Sequence, residues 1–517
     1  MASRFRFGRG SAIVAASTVI VALAAAFVAL VMPIGSVRGQ VIDAATGRPL
    51  PGAVVRVGDR EYQTGDGGDF SLSGVRLGSE VLAEADGHLP ASAKVSLGGG
   101  LRLDLMPRVL KGVILDESTG MPVANATVSG GSSSVATDER GSFAISEVSG
   151  DGVLEVKAPG YEPRRVEVAG QSDIQVGLRR FSARGVYLTY YGVGNKELTE
   201  HVLELADTTE INTVVIDVKG DRGWIAYKSD VPMVQQVGAQ QEITMKDPEQ
   251  FLADLKRRGV YTIARIVTFK DNPLATSRPD LAVINSATGR PWVDNEGLRW
   301  ADPTRQEVWD YNIALATEAI DKGFDEVQFD YVRFPTDASA GNSLDSITFA
   351  TANTMANRMA AINGFLEKAR QAIHAHGGLV SADIFGYVVW RDDDMGIGQH
   401  LEDVAQHVDY VSPMVYPTLF WDGIALDGGV KYGDQQAGLY PYEIVSESMK
   451  VAVRRIGAEK LRPWLQYYND YLTGKSYTAV DMELQKRAVY ESGVRTWLFW
   501  DPSNRFNKGG FEPDGAG

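Results

Sequence analysis

The stretch Phe324–Pro335, FDEVQFDYVRFP, decides how the larger part of this chain is read. It begins as a buried strand, in which Val327 and Phe329 alternate with polar neighbours. Alternation sends successive side chains to opposite faces. It then ends on Asp330, Tyr331, Arg333 and a proline. Two explanations fit. Asp330 pairs with Arg333 for structural reasons, or the strand delivers a reactive carboxylate to a pocket.

Working outward, the same texture runs from Arg184 onward. Strand-like apolar runs fall at Gly185–Tyr190, Thr213–Lys219, Tyr261–Val267 and Glu326–Val332. Four more fall at Leu379–Phe385, Val408–Tyr416, Arg462–Tyr468 and Arg495–Trp500. Helical stretches lie between them. DPEQFLADLKRRG, for example, opens on Asp247-Pro248 and closes on Gly259, residues suited to helix ends. Near-continuous apolar strands separated by helices predict a parallel sheet covered on both faces. Eight such units fit a (β/α)8 barrel over residues 181–517. A doubly wound open sheet is the alternative, but no Gly-rich dinucleotide or Walker loop follows the first strand.

The chain before the barrel is of another kind. GQVIDAATGRPLPGAVVRV from Gly39 matches GVILDESTGMPVANATVSG from Gly112 at a constant offset. The offset also relates Asp43 to Asp116, Gly68 to Gly141 and Phe70 to Phe143. A repeat this regular means two copies of one module. Short alternating strands broken by Gly, Pro and Asp turns predict a small β-sandwich for each, over 36–108 and 109–180. Further towards the N-terminus, an apolar run at 12–32 follows Arg4, Arg6 and Arg9, within a basic tail at 1–11. Its length and flanks predict an uncleaved transmembrane anchor that leaves the rest of the chain outside the cytoplasm.

Composition narrows the function. Lys and Arg number 51 against 66 Asp and Glu, a net charge of −15. This argues against nucleic acid as a partner, since phosphate binding needs a basic surface. There are no cysteines, so thiol nucleophiles and Cys-based zinc sites are excluded. His374 and His376 are the only close histidine pair and would point to different helix faces. No metal and no cofactor is expected.

In a barrel the active site forms at the C-terminal ends of the strands. Those ends hold Asp217, Asp330 and Asp383 as candidate catalytic carboxylates. Arg265, Arg333, Tyr331, Tyr416, Gln466 and Trp500 are candidates to position substrate. The long loop Lys270–Asp302, with Trp292 and Trp300, is expected to wall the cleft, and Trp292 to face substrate. Glycoside hydrolysis needs such a set: one carboxyl to protonate the leaving oxygen, another to attack or to activate water, and rings for sugar faces. The structural explanation stands beside it, because a strand-end Asp can cap a helix or pair with an arginine. The run Asp392–Asp394 reads as solvated.

These segments also carry resemblances. Residues 36–180 resemble the carboxypeptidase regulatory-like domain, a transthyretin-like sandwich, which implies spacing, adhesion or weak glycan contact. All nine tryptophans lie after residue 180, so the repeats read as spacers. The C-terminal part, through GVYLTYYGVG, VVIDVKGDRG, QFDYVRFP, SADIFG and SPMVYP, resembles a family of bacterial barrels described as glycoside hydrolases of unknown function. The resemblance implies a (β/α)8 fold and glycosidase activity. There is a weaker likeness to chitinase-type hydrolases, whose acid is a Glu just after the fourth strand; here Val332 and Arg333 stand there. The expectation is an exported, membrane-anchored glycosidase acting on a polysaccharide of the bacterial cell envelope or its surroundings. Asp330 is expected as nucleophile or base, Asp383 as general acid and Asp217 as a reserve carboxylate. The alternative is a non-catalytic scaffold that binds glycan.

Overall fold

The computed structural model describes residues 34–514 apart from 97–99, 131–132, 147–151, 169–172, 337 and 339–342. The expected membrane anchor at 12–32 and the basic tail at 1–11 lie outside the described residues. Among the described residues, no helix is long and apolar enough to cross a membrane.

Each repeat folds as two facing sheets. In the first, Asp69–Val75, Ile34–Asp43 and Leu101–Leu105 form one sheet, and four strands between Val54 and Lys94 form the other. The second repeats this arrangement at Ser142–Ser146, Val109–Asp116 and Asp173–Leu178. The repeated residues have structural work. Gly39 pairs with Phe70 and Gly112 with Phe143 across the strands. A Cβ at either glycine would collide with the phenylalanine ring, so the close approach requires glycine. Asp43 and Asp116 each accept two backbone N–H groups of the following turn, at 2.6–2.8 Å and 2.9 Å. This explains the D..TG signature, because aspartate makes such turns locally.

The C-terminal part is a closed parallel barrel of eight strands. They are β1 Arg184–Leu188, β2 Thr213–Lys219, β3 Tyr261–Val267, β4 Glu326–Asp330, β5 Leu379–Phe385, β6 Tyr410–Val415, β7 Trp464–Gln466 and β8 Trp497–Trp500. Seven main helices connect them: α1 Lys196–Thr208, α2 Pro248–Arg257, α3 Gln306–Lys322, α4 Met355–Ala375, α5 Leu401–His407, α6 Pro441–Ile456 and α7 Ala479–Glu491; two shorter helices, Pro232–Gln236 and Asn272–Ser277, lie in the loops after β2 and β3. Their starts follow the sequence signals. Asp247 caps α2 with Pro248 as its first residue, and Thr478 with Asp481 makes a capping box on α7. Every residue of β2, β3 and β4 is buried, as a sheet covered on both faces requires.

The fourth strand is shorter than its apolar pattern. It stops at Asp330 because Tyr331 takes φ of +48°, which ends the ladder and turns the chain. The histidine pair closes α4. His374 faces Asp409 at 2.8 Å and His376 faces Asp321 at 2.7 Å, on separate sides. The acidic run departs from expectation at Asp394. It is buried, bonded by Arg358 at 2.7 and 2.9 Å, and accepts the N–H groups of Gly396 and Gly398.

The second repeat sits against the N-terminal end of the barrel, away from the mouth. Buried Lys157 lies 3.6 Å from Asp325, the residue before β4. The Ser134 hydroxyl donates to the His374 carbonyl at 2.9 Å, and the Gly160 N–H donates to the Tyr410 hydroxyl at 2.5 Å.

Candidate active site

Register brings the chemistry together at the mouth. Asp217 of β2 lies opposite Arg265 of β3, and Val267 of β3 lies opposite Asp330 of β4. Arg265 is buried and central. Nη1 donates to Asp217 Oδ1 at 2.7 Å. Nη2 donates to Asp330 Oδ2 at 2.6 Å and to Asp221 Oδ1 at 3.0 Å, and Nε reaches Asp330 Oδ2 at 3.0 Å. A planar guanidinium with five donors suits this fork, which a lysine could not reproduce. The other oxygen of Asp330 accepts the Tyr331 N–H at 2.6 Å. The left-handed turn at Tyr331 therefore helps to hold the carboxylate it follows.

Two of the carboxyls are biased towards their protonated forms. Burial pushes Asp217 up to about 6, against the pull of Arg265. Its Oδ2 accepts the Tyr187 hydroxyl at 2.6 Å and the Tyr190 N–H at 3.1 Å. Burial, and then the negative charge of Asp330, push Asp383 well above the usual carboxylate range. Trp464 Nε1 donates to Asp383 Oδ1 at 2.8 Å and fixes its direction.

Aromatic rings line the same mouth. Trp500 stacks on Tyr187 with centroids 4.0 Å apart, lies edge-on to Trp464 at 5.5 Å and carries the Arg265 guanidinium 4.8 Å over its ring. Tyr416 is 6.5 Å from Trp500 and 5.8 Å from Tyr468. A pocket of about 340 Å³ opens beside this cluster. Asp217, Asp221, Tyr187, Tyr190, Tyr191 and Trp224 line it, and Asp330 and Asp383 are not among its lining residues.

Three expected substrate contacts are buried and already bonded or packed within the protein. Trp292 is fully buried within its loop, because Lys270–Asp302 folds on its own tryptophans instead of presenting them. Gln466 is also fully buried: it donates to the Thr418 hydroxyl and the Tyr468 carbonyl and accepts the Thr418 N–H, so it joins two loops. Arg333 lies 4.7–5.0 Å over the rings of Phe385, Tyr331 and Trp300 and donates to the Phe334 carbonyl and Thr336 hydroxyl. It organises the loop after β4, whereas Asp330 pairs with Arg265. Asp221, Tyr187 and Trp464 belong to the cluster without being among the candidate residues. Asp221 stands in the DVKGDRG segment four residues after Asp217. Trp464 opens its strand, whereas the candidate carboxylates lie at strand ends.

Residues 185–506 match the family described as "Putative glycosyl hydrolase domain". Among solved structures, a hypothetical protein from Ruminiclostridium thermocellum is 36% identical, with 41% of this chain and 98% of that one covered, at a TM-score of 0.34. The PgaB glycoside hydrolase domain from Bordetella bronchiseptica is 12% identical, with coverage of 63% and 95% and a TM-score of 0.46. A chitinase from Chromobacterium violaceum is 12% identical, with coverage of 63% and 96% and a TM-score of 0.36. No curated protein matches the chain. With its barrel matched almost from end to end, the chain belongs to this glycosyl hydrolase family.

Proposed function

We propose that the barrel hydrolyses glycosidic bonds in a polysaccharide by a two-carboxylate mechanism, with Asp330 as nucleophile or base and Asp383 as proton donor. The observation that carries this reading is the contrast between the two groups. Asp330 is clamped by Arg265 and a backbone N–H, while burial and its neighbour's charge bias Asp383 to keep a proton. Neighbouring carboxyls whose environments differ in this way divide the acid and base roles. The pocket favours a second reading, in which Asp217 is the donor and Asp221 the base, because these two carboxylates reach its open space. The basic tail and apolar run that open the chain support export with an uncleaved anchor, placing the barrel at the outer side of a bacterial membrane.

The deciding experiment screens the full chain against polysaccharides and aryl glycosides, with Asp330→Asn, Asp383→Asn and Asp217→Asn alongside. Loss of a catalytic acid or base costs about 10²–10⁴-fold in rate. Such a loss in the first two variants is expected; loss in Asp217→Asn with Asp383→Asn near wild type selects the second reading. Saturable binding without sugar release by any of the proteins would favour the non-catalytic scaffold. Protease added to intact cells should digest the barrel, and protection of the barrel would refute export.

A further inference from the structure

The barrel's large exposed apolar side chains are not scattered. All of them lie in loops that follow strands, or in the first turn of the next helix. That is the face where the carboxylates open. They concentrate after β6 and β7, where Trp421 is 46% and Tyr471 66% exposed, beside Leu439, Tyr440 and Leu472. A concentration of exposed apolar side chains of this kind marks a contact site.

The two loops form one fixed rim. Gln435 N–H donates to the Trp421 carbonyl at 3.0 Å, which closes the β6 loop on itself. The Tyr477 hydroxyl donates to the Gly438 carbonyl at 2.9 Å, and Gln466 and Thr418 are bonded to each other twice. The Asp470 side chain occupies the place a Cβ of Gly438 would take, so the loops meet closely. From the rim, rings lead inward. The half-buried Tyr468 has its hydroxyl pushed up first by burial and then by its neighbour Tyr471. Tyr468 lies 5.8 Å from Tyr416, Tyr416 lies 6.5 Å from Trp500, and Trp500 stacks on Tyr187 beside Asp217. The charge of the rim is one-sided. Residues 416–447 carry Asp422, Asp427, Asp434, Glu443 and Glu447 against Lys431 alone. A polyanion is repelled here.

We propose that this rim holds a long polysaccharide without negative charge. Sugar faces stack on Trp421 and Tyr471, and the chain runs over Tyr468 and Trp500 towards the carboxylates. The binding claim stands on the rim alone; the direction of the chain rests on the hydrolase reading. Flat rings suit the C–H faces of pyranoses, and a polymer longer than the pocket gains contacts that a short glycoside does not reach.

Affinity electrophoresis of the full chain in gels containing hydroxyethyl cellulose, galactomannan, glycol chitin or alginate tests this without requiring turnover. At least one neutral polymer should retard the protein, and alginate should not. Trp421→Ala/Tyr471→Ala should weaken retardation by about tenfold, the factor that covering two exposed rings with sugar supplies. Both positions are exposed, so the double variant is expected to fold, and an unchanged melting curve checks that. Met121→Ala, at an exposed position on the second repeat, should behave as wild type. Retardation by alginate alone, by no polymer, or undiminished in the double variant overturns the proposal. Asp330-dependent hydrolysis with undiminished binding in the double variant would end the rim proposal and leave the hydrolase reading standing. Rim-dependent binding without hydrolysis by any protein would do the reverse.

Discussion

Arg265 is one cation among three carboxylates, and the imbalance has a measurable consequence at Asp217. This residue keeps its proton in the folded protein up to about pH 6, whereas its ordinary value is 3.8. Between those values the native state holds a proton that the unfolded chain has released. Stability from this group therefore falls as pH rises through the window, by about 3 kcal/mol in full. Asparagine cannot titrate. The unfolding free energy of Asp217→Asn relative to wild type should climb by about 3 kcal/mol from about pH 3.5 to pH 7 in urea titrations. A constant difference would mean that Asp217 titrates alike in the folded and unfolded chains. The sequence showed that carboxylates end neighbouring strands, but not which arginine gathers them. Arg333 stands three residues after Asp330 in the chain, yet the partner is Arg265, on the neighbouring strand. Nor does the sequence reveal that Trp292 and Gln466 turn inward, because exposure depends on how a loop packs.

At the scale of elements, the apolar pattern was most legible where burial is complete. The ends of β2, β3 and β5 fall where the pattern puts them. The pattern overran β4 and β7, since apolar residues there continue into packed loops after the ladder has stopped. The two repeats show how one element can be held in two ways. Asp43 is bonded by His88 Nε2 at 2.9 Å; at the matching positions Asp116 accepts the Tyr161 hydroxyl at 3.0 Å and pairs with Arg180 at 2.7 Å. Although burial pushes the other way, bonds from His88, Thr46 and Ala45 hold the Asp43 carboxyl down at about 2. Stability from Asp43 is thus present above its ordinary value of 3.8 and lost as pH falls towards about 2. His88→Tyr should keep the turn closed by imitating the second repeat, while His88→Ala leaves a buried carboxylate one bond short, at a cost of about 1–3 kcal/mol. Hydrogen exchange of peptides covering residues 41–50 reads the difference. Equal protection in both variants would show that the backbone bonds alone suffice.

For the whole molecule, the decisive contact is between the second repeat and the barrel. Lys157 is buried beside Asp325, which also accepts the Thr262 N–H and hydroxyl at the start of β3, at 3.0 and 2.9 Å. Tyr410, which accepts the Gly160 N–H, carries the Arg462 guanidinium 3.8 Å over its ring, and Arg462 bonds the fully buried Glu326 at 2.7 Å. Removing the repeat uncovers these groups at the barrel's base. A chain beginning at residue 109 should melt, by tryptophan fluorescence, at the same temperature as one beginning at residue 34. A chain beginning at 181 should melt lower, by several degrees for each kcal/mol lost. Equal melting of all three would reduce the repeat to a passive neighbour. Since every tryptophan lies in the barrel, the signal is free of contributions from the repeats.

The seating of the second repeat also gives the molecule a stem and a cup. The polypeptide enters the barrel at its base, beside Lys157 and Tyr410, and the rim of Trp421 and Tyr471 opens at the far end. Grafted to a bead or a sensor chip through the repeat side, the protein would hold its cup outward and unobstructed. Grafted through the rim loops, it would be stoppered.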